Sequence, residues 1–224
     1  MAMIYKTTMK PGKTELLAAW LPTRPWYAST GHAPELDRSG GFRLDDPEGE
    51  VGIEFMVLTD TSGGRETCYL VPLTYRGAPL EGAEAGLVGI SEHGVLGTRW
   101  IYDGSHDPVL VGQLLALLQG RAVAQDQCDS GVADPSVTAH FDGPVLPEVL
   151  PGTRLEITDG ERRSYVSVPR GPLLALRRVL RSGDDGWADA TGVTGRLTAG
   201  WTAPDGSSHR ALIVALRTSG HAEA

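Results

Sequence analysis

The chain has 224 residues, a formal net charge of -8, 41% hydrophobic and 21% charged residues. That balance belongs to a globular chain, not a disordered one, and the length allows one large domain or two small ones. It argues against a nucleic-acid binder, which needs a concentrated basic face, and the nearest candidate, Arg177, Arg178 and Arg181, reads as a solvated edge.

The opening stretch, Met1 to Thr8, lacks the basic-then-apolar order of a signal peptide. Lys13 to Leu21 is the first predicted element: Leu16, Leu17 and Trp20 recur at helical spacing and Pro22 stops the run. A loop carrying Gly31, Pro34, Gly40 and Gly41 is expected next. Val51, Ile53, Phe55 and Val57 then alternate with Gly52, Glu54, Met56 and Leu58, a strand with one face well buried. The turn signal Ser62-Gly63-Gly64 leads into a second strand, Thr67 to Tyr75, completing an antiparallel hairpin. Thr98 to Asp103 is a further strand.

Asp107-Pro108 opens the best-defined helix. An aspartate caps free backbone N–H groups, and proline suits the first helical position because its missing N–H would be unpaired anyway. Leu110, Leu114, Leu117 and Leu118 share one face, and Gly120 ends the helix. This helix is expected to pack on the concave face of the preceding sheet, with Leu114 buried against the Val51 to Tyr75 hairpin. Residues 122–135 are polar and aperiodic and read as a linker. Beyond it, Arg154 to Thr158 with Ser164 to Val168, and Arg196 to Ala203 with His209 to Arg217, form two hairpin candidates. Leu173 to Leu180 fits either period.

The fold class expected is therefore α+β: a curved antiparallel sheet packed on a helix in residues 1–121, a linker over 122–135, and a β-rich antiparallel carboxy-terminal region over 136–224. No apolar run approaches the about 20 residues that span a bilayer, so no membrane role is expected. Cys68 and Cys128 stand too far apart for a metal knuckle and read as reduced thiols, which points to the cytoplasm.

The candidate chemistry is sparse. Gly12-Lys13-Thr14 looks like the end of a phosphate loop, but that loop needs a glycine where Thr7 stands, so a helix start is the better reading. His93, Asp103, His106 and Asp107 are the densest polar set, and a tight Gly104-Ser105 turn could bring an imidazole to a carboxylate. Their spacing fits no metal motif, Asp107 already serves as a cap, and Asp103 can satisfy the turn's backbone. Trp26, Tyr27, Trp100 and Tyr102 are candidates for a sugar platform, since an aromatic face matches the C–H face of a hexose; ordinary core packing is the competing reading. Trp26 and Trp100 are expected close together, at least one of them partly exposed. No cofactor, no metal and no catalytic residue are assigned.

Several segments carry a resemblance in matching order and spacing. Lys13 to Tyr27, with Trp20-Leu21-Pro22-Thr23-Arg24-Pro25-Trp26-Tyr27 at its end, is similar to the opening of maltokinases. The hairpin Val51 to Tyr75, ending Tyr69-Leu70-Val71-Pro72-Leu73, and Trp100-Ile101-Tyr102-Asp103-Gly104 before the leucine-rich helix, resemble the remainder of the N-terminal cap of actinobacterial maltokinases. The resemblance covers about residues 3 to 120. It implies the cap fold and a place in maltose, trehalose or glycogen metabolism. Family members phosphorylate maltose with catalytic lobes that follow the cap, and this sequence has no His-x-Asp-x₄-Asn pattern. The expectation is a non-catalytic accessory or regulatory module with a protein partner in sugar or glycogen metabolism. The alternatives are a saccharide or sugar-phosphate binding protein, through Trp26, Tyr27, Trp100, Tyr102, His93, Asp103 and His106, and a small enzyme using the His93/His106 region.

Overall fold

A computed structural model describes residues 7–64, 66–129, 131–181 and 192–218. In chain order the elements are β1 (Met9–Lys10), α1 (Lys13–Trp20), β2 (Leu36–Leu44), β3 (Gly52–Asp60), β4 (Thr67–Arg76), β5 (Leu87–His93), β6 (Gly97–Asp103) and α2 (Pro108–Leu118). They continue with β7 (Thr138–Phe141), β8 (Glu156–Asp159), β9 (Arg163–Ser167), β10 (Leu173–Arg177), β11 (Val179–Leu180), β12 (Val193–Thr202) and β13 (Ser208–Arg217). Two antiparallel sheets result. The first is a curled half-barrel in the order β1-β5-β6-β4-β3-β2, and the second runs β7-β12-β13-β10-β9-β8.

Strand β3 explains the layering. Ile53, Phe55 and Val57 enter a large core with Phe42, Leu44 and Leu70, the α2 leucines, and apolar residues of the second sheet such as Val166, Leu174, Leu197 and Ile213. Met56 and Leu58, pointing the other way, enter a separate core with Leu17, Trp20, Leu21, Trp26, Tyr69, Val71 and Ile101. Both faces of the half-barrel are thus covered, the first by α2 and the second sheet, the second by α1 and the segment after it. Helix α2 is buried almost all round, from Leu110 to Leu118, as befits a helix that is apolar on every side. Leu114 lies where expected, in the core shared with Ile53 and Phe55. Asp107 caps α2 by accepting a hydrogen bond from the Val109 N–H at 2.9 Å.

Short strand β11 joins the two halves. It pairs with the start of β4 (Val179 opposite Tyr69, Leu180 opposite Cys68), whereas β6 pairs with the end of the same strand, from Leu73 to Arg76. The Leu70 N–H donates to the Arg178 carbonyl at 2.9 Å. N–H groups two residues apart on a strand point to the same side, so Pro72, which has no N–H, falls at the seam between the two partners.

Two expectations need correction, and one ambiguity is resolved. The expected loop through Gly40 and Gly41 belongs largely to strand β2. Both glycines have positive φ, 148° and 127°, at an irregularity in the β2–β3 register. A Cβ on Gly41 would stand 1.9 Å from the Phe55 carbonyl oxygen, and one on Gly40 3.2 Å from the Trp201 Cβ on the second sheet. The glycines permit that close approach. The ambiguous stretch Leu173 to Leu180 is extended, as β10 and β11. Arg177 and Arg178 are not a solvated edge: they are 3% and 0% exposed, and only Arg181 lies at the surface. Strands β1, β5 and β7 form where no element was expected. The segment 122–135 makes two isolated bridges, Gln125 pairing with Arg43 of β2 and with Ala133. Among the described residues no helix is long and apolar enough to cross a membrane.

Candidate functional site

Beyond the start of α1, the second face of the half-barrel is not covered by apolar side chains. A cleft of about 670 Å³ opens there, with Gly52, Glu54 and Tyr75 in its lining together with Lys13, Arg38, Arg43 and Arg99. Glu54 alternates with the apolar residues of β3 and is 4% exposed. Lys13 Nζ approaches its Oε2 at 2.5 Å, Arg38 donates to Oε1 at 2.7 Å, and Tyr75 Oη donates to Oε2 at 2.7 Å. Lys13 also sits 4.8 Å from the Tyr75 ring centroid. Burial works to raise the Glu54 carboxyl, but the charges of Lys13 and Arg38 and the bonds from Lys13 and Tyr75 outweigh it, so the pKa lies below 4.5. Burial and the Glu54 charge push the Tyr75 hydroxyl well above 10, so it remains a donor. His93, at the same cleft, is held below 6.5 by partial burial and by the charges of Arg99 and Lys13. Of these residues, sequence reasoning had named His93 as a candidate and had weighed Lys13 only within a discounted phosphate loop; it missed Arg38, Arg43, Glu54, Tyr75 and Arg99 as site residues. The available signal was Glu54 itself, a charge inside the otherwise apolar run Val51 to Leu58.

The set read from the sequence around Asp103 is a structural knot. Asp103 Oδ1 accepts from the Ser105 N–H at 3.1 Å and hydroxyl at 2.9 Å, so it satisfies the turn as expected. Its Oδ2 receives Arg178 at 2.6 Å, with both side chains buried. Arg178 also donates to Ser164 Oγ of β9 at 2.6 Å and to Ser105 Oγ at 3.0 Å. Its guanidinium lies 5.1 Å from the Trp26 ring. Asp107 pairs with Arg76 through two bonds of 2.6 and 2.7 Å. His106 follows this turn and is held below 6.5 by burial, against the pull of Asp103. His93 pairs with Gly97 at the opposite end of the β5–β6 hairpin, where its Nδ1 accepts from the Val95 and Leu96 N–H groups. The length of β6, about 20 Å for its seven residues, separates the two histidines, so they cannot act on one ligand atom. Among the described residues no group of three or more His, Cys, Asp or Glu is placed to hold a metal ion.

The four aromatic candidates are dispersed. Trp26 is 2% exposed and packs edge-on to Trp20 at 5.8 Å and beside Tyr69 at 6.0 Å. Tyr27 stacks on Tyr69 at 5.6 Å and donates to Asp60 Oδ2 at 2.8 Å. Tyr102 is buried, and its Oη accepts the Leu80 N–H at 2.9 Å. Trp100 is half-buried and sits across from Ile90 and Arg76. It alternates with Ile101, which lies in the Trp26 core, so Trp26 and Trp100 belong to opposite faces of the sheet. The structure does not bring these two rings together.

Residues 20–107 match the family model of the maltokinase N-terminal cap domain. The match runs from the end of α1 through the β2–β6 strands to the α2 cap residue, so this part of the chain is similar to the maltokinase N-terminal cap, as its sequence resemblance implied. The rest of α1, helix α2 and the whole second sheet lie outside the matched span. No curated protein matches the chain.

Proposed function

We propose that the chain is a non-catalytic cap module of the cytoplasm that binds or regulates a protein partner in maltose, trehalose or glycogen metabolism. One observation carries this reading. The described residues after the matched span do not build a kinase lobe: they form α2 and a second antiparallel sheet that shares a core with the cap and is joined to it by β11 and Arg178. The sequence has no His-x-Asp-x₄-Asn loop, the pattern that supplies the base and a metal ligand in protein-kinase-like lobes. A fold shared with a kinase cap carries no activity by itself.

A sugar platform built on Trp26, Tyr27, Trp100 and Tyr102 has less support, because two of the rings are buried and Trp100 faces away from Trp26. Two measurements test the proposal. Purified protein incubated with ATP and maltose should transfer no phosphate. Affinity purification of the full chain from its native cytoplasm should enrich an enzyme acting on maltose, trehalose or glycogen. Maltose phosphorylation that a substitution in this chain abolishes would overturn the reading, and so would recovery of no such enzyme.

A further inference from the structure

The cleft at the start of α1 does not belong to the cap's apolar packing and is not used by the partner role proposed above. Its lining has four permanent cations, Lys13, Arg38, Arg43 and Arg99, in a chain of net charge -8. Two of the three carboxylates beside them are occupied. Glu54 is saturated by Lys13, Arg38 and Tyr75. Asp46 is 6% exposed, and its oxygens accept the backbone N–H groups of Glu48, Glu50 and Val51. Glu50, the third, is exposed. Among the described residues, the side chains of Arg43 and Arg99 make no hydrogen bond or ion pair, although both line the cleft and are partly withdrawn from water. Both guanidinium groups line the same concavity, where an anion would meet open donors.

We propose that this cleft binds a small ligand bearing a phosphate monoester, with Arg43 and Arg99 as the principal donors and Lys13 and Arg38 as supporting charges. A phosphate dianion offers three oxygens to planar forks that can each bond two of them. Lys13 and Arg38 each spend one donor on Glu54 and retain others. Glu54 thereby acts as a positioning residue: it fixes two flexible cations at the cleft wall before a ligand arrives, which reduces the ordering cost of binding. Burial first, and then the charges of Arg99 and Lys13, hold the His93 pKa down at this cleft. A volume of about 670 Å³ suits a phosphorylated monosaccharide or a molecule of similar size. The ligand is defined by its phosphate, not by an aromatic contact, since Lys13 covers the Tyr75 ring.

Isothermal titration of the full chain at low salt tests the assignment, with glucose 6-phosphate as the phosphomonoester probe, glucose as its neutral counterpart and gluconate as a carboxylate. Glucose 6-phosphate should bind, inorganic phosphate should compete with it, and affinity should fall as salt rises. Arg43→Gln and Arg99→Gln should each weaken binding by about tenfold or more, the loss of a charged hydrogen bond, with circular dichroism and melting unchanged. Arg43→Lys, which keeps the charge but not the fork, should fall between. The assignment is overturned if neither phosphate probe binds the wild-type chain, if glucose or gluconate binds as tightly, or if both glutamine variants bind normally. None of these outcomes bears on the partner role, which the co-purification tests separately.

Discussion

Replacing Arg178 by methionine tests whether one buried ion pair couples the cap to the second sheet. Methionine retains most of the apolar stem and deletes the charge. The substitution strands the Asp103 carboxylate, 3% exposed, with only its Ser105 bonds. Breaking a buried pair from one side typically costs about 3–5 kcal/mol. Loss of the contact over Trp26 adds about 0.5–2 kcal/mol. One effect opposes these: Arg178 Nη1 is buried without a partner, and removing it relieves a penalty of about 1–3 kcal/mol. The net expectation is about 3–4 kcal/mol, a large share of the roughly 5–15 kcal/mol that holds a domain together. Urea denaturation followed by tryptophan fluorescence and by far-UV circular dichroism measures it. The wild-type transitions should coincide, and those of the variant should separate if the two sheets loosen independently. Adding Asp103→Asn removes the stranded charge, so the double variant should be more stable than Arg178→Met alone. A single-variant loss under about 1 kcal/mol, or a double variant whose cost is the sum of the singles, would refute the reasoning.

Three further outcomes follow from the geometry. Leu114→Ala should cost about 2–5 kcal/mol in the same denaturation assay, since Leu114 is 3% exposed in the core between the sheets and its removal leaves a cavity. Gly41→Ala should cost more than about 3 kcal/mol because its Cβ would overlap the Phe55 carbonyl, whereas Gly31→Ala, at φ 80° with nothing within 4 Å, should cost only about 1–2 kcal/mol. Glu54, whose folded pKa lies below 4.5, contributes stability that is fully present above its unfolded value and is lost as pH falls through the folded value. The wild-type chain should therefore weaken below about pH 4.5 more steeply than Glu54→Gln, and equal slopes in acid denaturation would remove Glu54 from that role.

Much of this fold was legible because local chemistry and tertiary structure agree. The alternation of Val51 to Leu58, the Asp107-Pro108 cap and the hairpin of Arg196 to Ala203 with His209 to Arg217 are each legible without help from distant residues, and each is found. Strand β2 was hidden for the opposite reason. Gly40 and Gly41 are poor strand formers, and what keeps them extended is the backbone of β3 on one side and Trp201 on the other, about 160 residues away in sequence. The expected site suffered a similar inversion. Aromatic residues marked the segments most typical of the cap, and in Trp26 and Tyr102 their burial shows that they serve packing and turn closure.

Charged residues divide along the same line. A pair such as Arg177-Arg178 after a run of leucines looks like the solvated end of an element, because the cost of burying a guanidinium can be judged only when its partners are known. Those partners come from three separate places: Asp103 and Ser105 beyond β6, Ser164 on β9 and Trp26 after α1. The strand context alone could have located Glu54, since a carboxylate within an apolar strand must find cations or distort its pKa. It finds Lys13 and Arg38, from α1 and β2, and in holding them it leaves Arg43 and Arg99 as the cleft cations with no side-chain partner among the described residues. The Arg178 knot and the Glu54 cleft therefore place opposite demands on the same half-barrel. One closes every donor but Nη1 onto the protein, and its loss should appear as lost stability. The other leaves donors open, and its loss should appear as lost binding with the fold retained.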